Sequence, residues 1–218
     1  IGSKVLDLMQ IADVAFWPCV ADFKYKDVLG YPDGYLDVCF YNGGVRNTEQ
    51  EEVARLLRQK SKTLVAYGSC AGDGGIPALA NFTTPEEIFR VVYLDNPSTE
   101  NPGAITPSPK VDTPCGQVHI PGFYPAVLRL KDIVAVDYEI PGCPPNAARV
   151  WETIQAVVSG AVPATNHAVR VGCFDKTVCD ECPREKRQVR IKEFHRHHEI
   201  RPEPDWCLLE QGILCMGP

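Results

Sequence analysis

The chain has 218 residues, which is enough for one sizeable hydrophobic core with an appendage or for two small domains. Its 22 basic and 28 acidic residues give a formal charge of −6, so the composition gives no electrostatic support for nucleic-acid binding. No apolar run approaches the roughly 20 residues that a membrane-spanning helix needs, and no membrane partner is expected.

The amino-terminal residues predict one helix and two strands. Apolar side chains at helical spacing over 3–10 indicate a helix that begins upstream, so the natural start of the protein is expected to lie before Ile1. Ala12 to Trp17 is interpreted as a short strand. A second strand, Leu36 to Tyr41, ends in Asn42-Gly43-Gly44.

Two helix starts follow in the next part of the chain. Asn47-Thr48 precede four acidic or amide residues that suit the positive end of a helix dipole, and the basic stretch 55–62 closes that helix. The third strand is predicted over Thr63 to Tyr67. After it, Thr84-Pro85 begin another helix, with proline at the first helical position.

The remaining elements complete an alternation of strands and helices. Seven prolines fall within 95–125, which predicts a long ordered loop without regular structure. A fourth strand is expected at Val134 to Tyr138, and Pro144-Pro145 begin a helix that runs to about 159–160. This order predicts an α/β fold with a doubly wound parallel sheet of the flavodoxin type over 1–160.

Two predicted strands each deliver a cysteine through a glycine-containing loop. Cys70 lies in Gly68-Ser69-Cys70-Ala71, and Cys143 lies in Pro141-Gly142-Cys143-Pro144-Pro145. Ligands collect outside the carboxyl ends of parallel strands, so neighbouring strands would bring both thiols to one edge of the sheet. The alternatives are two inert buried cysteines and a phosphate-binding loop, but the sequence matches neither common phosphate-loop motif.

The carboxyl-terminal part, 161–218, has few apolar runs and too little core to fold by hydrophobic burial alone. Its cysteines are the candidate staple. Cys179 and Cys182 form a Cys-x-x-Cys step, and Cys207 and Cys215 follow. Four thiolates in a polar segment suit a structural zinc site or a [4Fe–4S] cluster, and the spacing does not separate the two.

The other reactive residue types receive plainer interpretations. The sequence contains no Ser/His/Asp constellation and no carboxylate pair for acid–base work, so catalysis by this chain alone is not expected. His195, His197 and His198 are interpreted as a solvated basic face rather than a metal patch. The remaining cysteines are taken as buried or incidental thiols: Cys19, Cys39, Cys115 and Cys173.

The two cysteine loops resemble those of the small, electron-transferring subunit of [NiFe] hydrogenases. In that family, the segments that match Cys70 and Cys143 supply two ligands of the proximal [4Fe–4S] cluster. The other two ligands lie in a Cys-x-x-Cys motif near the amino end, which the resemblance places before Ile1. The chain is therefore expected to hold half of that ligand set.

The carboxyl-terminal cysteines resemble the distal-cluster segment of the same family. Val178-Cys179-Asp180-Glu181-Cys182 carries a cysteine where the family usually has a histidine, and Trp206-Cys207 and Gly212 to Cys215 resemble the segment with the other two ligands. All-cysteine ligation is expected to lower the potential of that cluster. Ligands of a medial cluster are expected beyond Pro218.

The resemblance implies a cytoplasmic subunit that relays electrons from H2 oxidation in a large subunit. Within the family, Asn42-Gly43-Gly44-Val45-Arg46 and Leu208-Leu209-Glu210-Gln211-Gly212 look most like the cytosolic F420-non-reducing, methyl-viologen-reducing type. Its electron acceptor would be an iron–sulfur or flavin subunit, such as heterodisulfide reductase or an electron-bifurcating flavoprotein. Two alternatives stay open: a zinc- or cluster-stapled adaptor, and a cluster subunit of the complex I type.

Overall fold

The computed structural model describes residues 4–161, 169–173 and 176–215. Contacts between residues divide the chain into two units, Ile1–Cys173 and Phe174–Pro218. The sequence-based boundary after residue 160 lies earlier than this division, because a short strand at Val169–Arg170 joins the sheet of the first unit.

The first unit alternates helices and strands, as the sequence predicts. Its helices are α1 (Lys4–Ile11), α2 (Tyr25–Leu29), α3 (Thr48–Lys60), α4 (Ser69–Asp73), α5 (Pro85–Phe89) and α6 (Ala147–Val158). Its strands are β1 (Leu36–Asn42), β2 (Val45–Asn47), β3 (Ser61–Tyr67), β4 (Lys110–Thr113), β5 (Gly116–His119), β6 (Phe123–Leu128), β7 (Tyr138–Ile140) and β8 (Val169–Arg170). Further helical turns lie at Ile76–Phe82, Arg90–Leu94 and Leu130–Asp132.

Four strands form the central sheet in the order β1-β3-β7-β8, and all three neighbouring pairs are parallel. Tyr67, at the end of β3, lies opposite Ile140 at the end of β7. Both strands therefore finish at the same edge of the sheet. The predicted α/β class with a parallel, doubly wound sheet of the flavodoxin type is confirmed.

Apolar side chains cover both faces of this sheet. Leu64 and Ala66 of β3 belong to one buried cluster, which also contains Ala54 and Leu57 of α3. Val65, the residue between them, belongs to a second cluster with Val150 and Ile154 of α6. Successive residues of a strand point to opposite faces, so β3 is buried on both sides by helices.

The helix starts follow the predicted capping residues. The side chain of Asn47 accepts a hydrogen bond from the backbone N–H of Gln50 at 2.8 Å and so caps α3. Thr84 caps α5 by accepting from the N–H of Glu87 at 3.2 Å. Each cap satisfies a backbone donor that the helix itself leaves unpaired.

The predicted strand at Ala12 to Trp17 is wrong, because residues 12–17 form no ladder in the structure. The apolar side chains of this stretch pack against neighbouring residues instead. The ring of Phe16 lies 5.5 Å from that of Tyr25, and the hydroxyl of Tyr31 donates to the carbonyl of Ala15. Alternating apolar residues in so short a stretch do not distinguish a strand from a packed loop.

The fourth strand is shorter and later than predicted, since β7 covers only Tyr138–Ile140. The residue before β7 is Asp137, and its side chain accepts a hydrogen bond that a backbone carbonyl would accept in a regular ladder. Its Oδ2 atom accepts from the N–H of Leu64 at 2.7 Å and from Arg58 at 2.6 Å. A carboxylate in that place ends regular pairing.

The prediction that the proline-rich stretch lacks regular structure is wrong. The stretch contains an antiparallel hairpin of β4 and β5, with Pro114 in the turn, and it ends in β6, which pairs with β2. The only proline within these three strands, Pro125, lies in β6 where the register with β2 shifts. A strand without a regular ladder tolerates the missing N–H.

The second unit has little regular structure in its described residues. It contains α7 (Val178–Glu181) and a helical turn at Leu209–Gln211. Two isolated bridges, Glu185 with Trp206 and His195 with Ile213, hold its extended segments together. Across the parts of both units that the structure describes, every helix is too short or too polar to cross a membrane.

Candidate metal centre

The two predicted cysteine loops leave the same edge of the sheet. Cys70 follows the end of β3 by three residues, and Cys143 follows the end of β7 by three residues. Because β3 and β7 are parallel neighbours, both loops start side by side. This is the crevice in which open α/β sheets bind their ligands.

Backbone hydrogen bonds tie the two loops to each other. The N–H of Gly68 donates to the carbonyl of Ile140 at 2.7 Å, and the N–H of Ser69 donates to the carbonyl of Gly142 at 2.9 Å. In return, the N–H of Gly142 donates to the hydroxyl of Ser69 at 3.2 Å. The backbone next to each cysteine is thus fixed by the loop that carries the other.

Glycines shape the backbone of both cysteine loops. Gly75 has a φ of +54°, and a Cβ atom there would lie 3.0 Å from the Cys70 sulfur. Gly142 has a φ of +129°, and a Cβ atom there would lie 2.5 Å from the Cα of Pro145. Only glycine adopts these conformations without strain or collision. Glycine is therefore required beside the Cys70 sulfur and in the tight turn around Cys143.

The exposure of the two thiols suits ligands rather than core residues. Cys70 is half-buried and Cys143 is exposed, and neither is joined in a disulfide. Two inert cysteines packed as small hydrophobes would be buried. The thiols of Cys70 and Cys143 could supply two of the four ligands of a [4Fe–4S] cluster.

A buried ionic network lies behind the Cys70 loop. Glu139 of β7 is only 4% exposed, and a Cβ atom on Gly72 would lie 3.8 Å from its carboxyl carbon. The carboxylate accepts from Lys131 at 2.8 Å and from Arg170 at 3.2 Å. Arg170 also pairs with Asp73, the last residue of α4. The network joins the cysteine-bearing turn to β7 and β8.

These network residues leave little signal in the sequence. One signal was present, because Glu139 lies within the apolar run that leads to Cys143. A carboxylate in a buried strand requires cationic partners. Their identity could not be read from the sequence, since Lys131 and Arg170 come from other elements.

In the second unit, the thiol of Cys182 has a pKa below its ordinary value. The backbone N–H of Arg184 lowers its pKa by hydrogen bonding to the sulfur, and the nearby charge of Lys186 acts in the same direction. A lowered pKa favours the thiolate, which is the form that binds metals. Cys179 is exposed within α7, and the side chain of Lys186 donates to its carbonyl.

Cys207 and Cys215 lie on segments that pair with other parts of the second unit. The N–H of Cys207 donates to the carbonyl of Glu185 at 2.9 Å, which places it beside the segment that follows Cys182. Cys215 comes two residues after the buried Ile213 and is exposed. His195, whose N–H donates to the carbonyl of Gly212 at 2.8 Å, pairs with the same segment.

No three His, Cys, Asp or Glu side chains converge on a metal-binding arrangement anywhere within residues 4–161, 169–173 and 176–215. The structure therefore joins the Cys70 and Cys143 loops but does not assemble the four carboxyl-terminal cysteines. That these four share one metal centre stays a prediction, which their thiol chemistry supports.

The other cysteines show no common site. Cys39 is partly buried, and burial raises its pKa to about 11, so this thiol stays protonated and unreactive at neutral pH. Cys19, Cys115 and Cys173 are exposed. His197 and His198 are exposed as well, whereas His195 is half-buried.

Comparison with known proteins places these features in context. The family model described as NADH ubiquinone oxidoreductase, 20 Kd subunit, matches residues 1–157. The F420-non-reducing hydrogenase iron–sulfur subunit of Archaeoglobus profundus is 38% identical over 224 aligned positions, which cover 100% of this chain and 69% of that protein. A vhu subunit of the F420-non-reducing hydrogenase of Methanocaldococcus jannaschii is 39% identical, covering 99% of this chain and 66% of that protein.

The chain is also similar to a solved structure. A chain in the crystal structure of an NAD+-reducing [NiFe]-hydrogenase in the H2-reduced state superimposes with a TM-score of 0.61 and 30% sequence identity. The match covers 75% of this chain and 82% of that one. The present chain spans about two thirds of the length of the two curated relatives, at 69% and 66%.

Proposed function

Because this chain belongs to the family of the NADH ubiquinone oxidoreductase 20 Kd subunit and, within it, to the subunits of F420-non-reducing hydrogenases, we propose that it is the electron-transferring small subunit of a cytoplasmic [NiFe] hydrogenase. Its partner would be a large subunit at which H2 is split into two protons and two electrons. The electrons would leave through this chain to an iron–sulfur or flavin subunit.

The observation that carries this proposal is the reciprocal hydrogen bonding of the Cys70 and Cys143 loops at the ends of β3 and β7. These two thiols would hold a proximal [4Fe–4S] cluster together with two ligands predicted to precede Ile1. Such a cluster would accept and donate one electron at a time. The two loops at the sheet edge would hold that cluster, and Glu139 with its cationic partners would lie behind the Cys70 loop.

The carboxyl-terminal cysteines support a second, distal-type cluster in the proposal. Cys179, Cys182, Cys207 and Cys215 provide four thiols, and the N–H of Arg184 favours the thiolate form of one of them. A medial cluster, with ligands beyond Pro218, would complete the path by which electrons leave the chain. These assignments rest on the resemblance and on the cysteine chemistry.

The test is the Cys143→Ser variant in the complex with its large subunit. We expect folding to be retained and hydrogen-dependent dye reduction to fall by more than about tenfold, because a serine hydroxyl is a poor substitute for a thiolate ligand. Cys115→Ser, in the turn of the β4–β5 hairpin, is the matched control and should leave dye reduction unchanged. Full dye reduction by the Cys143→Ser complex refutes the proposal.

A zinc-stapled adaptor is the second candidate, because the described part of the second unit has four cysteines and one buried apolar side chain, Ile213. Elemental analysis separates the two candidates. Iron with acid-labile sulfide supports the electron relay, and zinc alone supports the adaptor. A complex I-type cluster subunit fits residues 1–157, but both hydrogenase relatives align over nearly the whole chain, including 179–215.

A further inference from the structure

The side chain of Arg170 contacts two carboxylates that belong to different elements of the first unit. Its Nε atom donates to Oε2 of Glu139 in β7 at 3.2 Å, and its Nη2 atom donates to Oδ1 of Asp73 at the end of α4. The charge of Asp73 and the hydrogen bond to Glu139 both raise the pKa of Arg170. A guanidinium has several N–H donors in one plane, so it can hold two carboxylates at once. Arg170 thereby links α4 to β7.

The backbone of β8 already holds Arg170 in the sheet. The N–H of Val169 donates to the carbonyl of Asp137 at 3.1 Å, and the N–H of Val171 donates to the carbonyl of Glu139 at 2.9 Å. These bonds fix β8 beside β7 through main-chain atoms. The side-chain contact with Asp73 is additional to this ladder, and it extends from the sheet to the turn that carries Cys70.

The turn α4 is fastened on both sides of Cys70. Before the cysteine, the N–H of Ser69 donates to the carbonyl of Gly142 at 2.9 Å. After the cysteine, Asp73 pairs with Arg170. A helix of five residues is too short to be stable by itself, so its shape depends on contacts with its surroundings. The position of Cys70 therefore depends on both fastenings.

Glu139 packs against the same turn from the side of the sheet. A Cβ atom on Gly72 would lie 3.9 Å from Oε2 of Glu139, which is the oxygen that accepts from Arg170. The other oxygen, Oε1, accepts from Lys131 at 2.8 Å. Arg170 therefore holds a carboxylate that lies against the turn and a second carboxylate that belongs to it.

The contact between Arg170 and Asp73 is local in its effect. Their side chains are 50% and 45% exposed, and solvent screens a pair of that exposure, so it contributes little to global stability. We propose that Arg170 is a positioning residue for Cys70, since its bridge between Glu139 and Asp73 fixes the turn that would present the Cys70 thiolate to the proximal cluster. This role rests on the proposed function and adds the residue that holds one ligand in place.

Breaking the bridge from each end tests whether it holds the turn. Arg170→Gln removes the guanidinium and leaves Lys131 on Glu139, and Asp73→Asn removes only the half-exposed carboxylate, so both variants should fold. Hydrogen–deuterium exchange of the full chain is measured over residues 69–73. We expect exchange there to be at least about fivefold faster in both variants, because the turn opens more often.

A remote ion pair supplies the control. Asp37 pairs with Lys62 at 2.6 Å, and both residues lie at the start of their strands, at the opposite end of the sheet from the cysteine loops. Asp37→Asn removes the same charge as Asp73→Asn and should leave exchange over 69–73 unchanged.

A double-variant cycle tests whether the two residues act through their contact. Arg170→Gln combined with Asp73→Asn should exchange no faster over 69–73 than Arg170→Gln alone, because both substitutions remove the same contact. Additive acceleration in the double variant would show that the two residues act separately, and the proposed bridge would be wrong.

A spectroscopic measurement separates positioning from a merely structural role. A Cys70 sulfur that samples more orientations should broaden the electron paramagnetic resonance spectrum of the reduced proximal cluster in the complex with the large subunit. We expect broader lines with Arg170→Gln and with Asp73→Asn, and the wild-type spectrum with Asp37→Asn.

The outcomes distinguish this role from the proposed function. Unchanged exchange over 69–73 in Arg170→Gln would overturn the role of Arg170. Faster exchange with a wild-type spectrum would show that Arg170 holds the turn without positioning the ligand, which overturns it as well. If the wild-type complex gives no signal from a reduced iron–sulfur cluster, the proposed function fails, and the role of Arg170 toward that cluster fails with it.

Discussion

The first unit buries Leu64, Val65 and Ile140 almost completely between helices on both faces of its sheet, whereas in the described residues of the second unit only Ile213 is buried to that extent. The first unit can therefore fold by hydrophobic burial, which is the largest favourable contribution to stability. The second unit uses backbone bridges and charged side chains instead. We propose that metal ligation by its cysteines supplies the stability that hydrophobic burial does not supply there.

Removal of bound metal is the strongest way to test this difference. If thiolate ligation holds the second unit together, stripping the iron should abolish amide protection over 176–215 and leave protection in β1, β3 and α6 intact, because metal-binding energy is folding energy in a segment without its own core. Hydrogen–deuterium exchange of the chain before and after anaerobic chelation measures both regions at once.

Two results of the exchange experiment would contradict this expectation. Retained protection over 176–215 in metal-free protein would mean that the polar contacts suffice on their own. Loss of protection in both units would mean that the first unit also depends on its cluster. The Cys115→Ser variant, which alters an exposed thiol outside both candidate sites, should respond like wild type.

The same contrast explains which features could be predicted from the sequence. Strands β1 and β3 and the caps of α3 and α5 leave local signals, such as apolar runs and the Asn47 and Thr84 side chains. Strand β8 has two residues and leaves no periodic signal. Strand β7 is shorter than predicted because the side chain of Asp137 takes the place of a backbone carbonyl that would accept from β3. Strand propensities do not predict such a replacement.

The candidate metal centre also contains residues whose proximity the sequence predicts and residues whose proximity it does not. Cys70 and Cys143 could be placed near each other because parallel strands end at one edge, a rule that needs only strand order. The network around Glu139 could not, because its cations come from the turn at Leu130–Asp132 and from β8. The arrangement of the four carboxyl-terminal cysteines depends on pairing between irregular segments, which has no sequence period.

A smaller effect is expected from the buried network of the first unit. Replacing both cations in Lys131→Met/Arg170→Met leaves the Glu139 carboxylate, with 5% side-chain exposure, without a counter-charge. We expect a loss of about 3–5 kcal/mol in the free energy of unfolding, measured by urea denaturation and far-UV circular dichroism. Adding Glu139→Leu to the double variant should recover most of that loss, because the unpaired charge is gone.

An exposed ion pair provides the control for that experiment. Lys62 and Asp37 lie 2.6 Å apart, with side-chain exposures of 63% and 82%. Solvent screens such a pair, so Asp37→Asn should cost no more than about 1 kcal/mol. An equal loss from Asp37→Asn and from the double variant would show that burial of Glu139 is not what makes the network matter.

The smallest expected effect concerns the pH dependence of the second unit. Glu210 accepts from the indole N–H of Trp206 and from the backbone N–H groups of Arg187 and Gln188, each at 2.8 Å. These bonds, the one from Trp206 first, lower the pKa of Glu210 below its ordinary value of 4.5. Because the pKa is lower in the folded state, the stabilisation is present above 4.5 and is lost as the pH falls through the folded-state pKa.

Trp206 fluorescence reports this loss directly, since its indole is one of the donors and the guanidinium of Arg187 lies 4.6 Å from its ring centre. In wild type the emission should change as Glu210 becomes protonated, and in Glu210→Gln that acid transition should be absent. Glu181→Gln, at the end of α7, is the control and should keep it. An unchanged acid transition in Glu210→Gln would mean that another carboxylate, and not this three-donor contact, sets the acid sensitivity of the second unit.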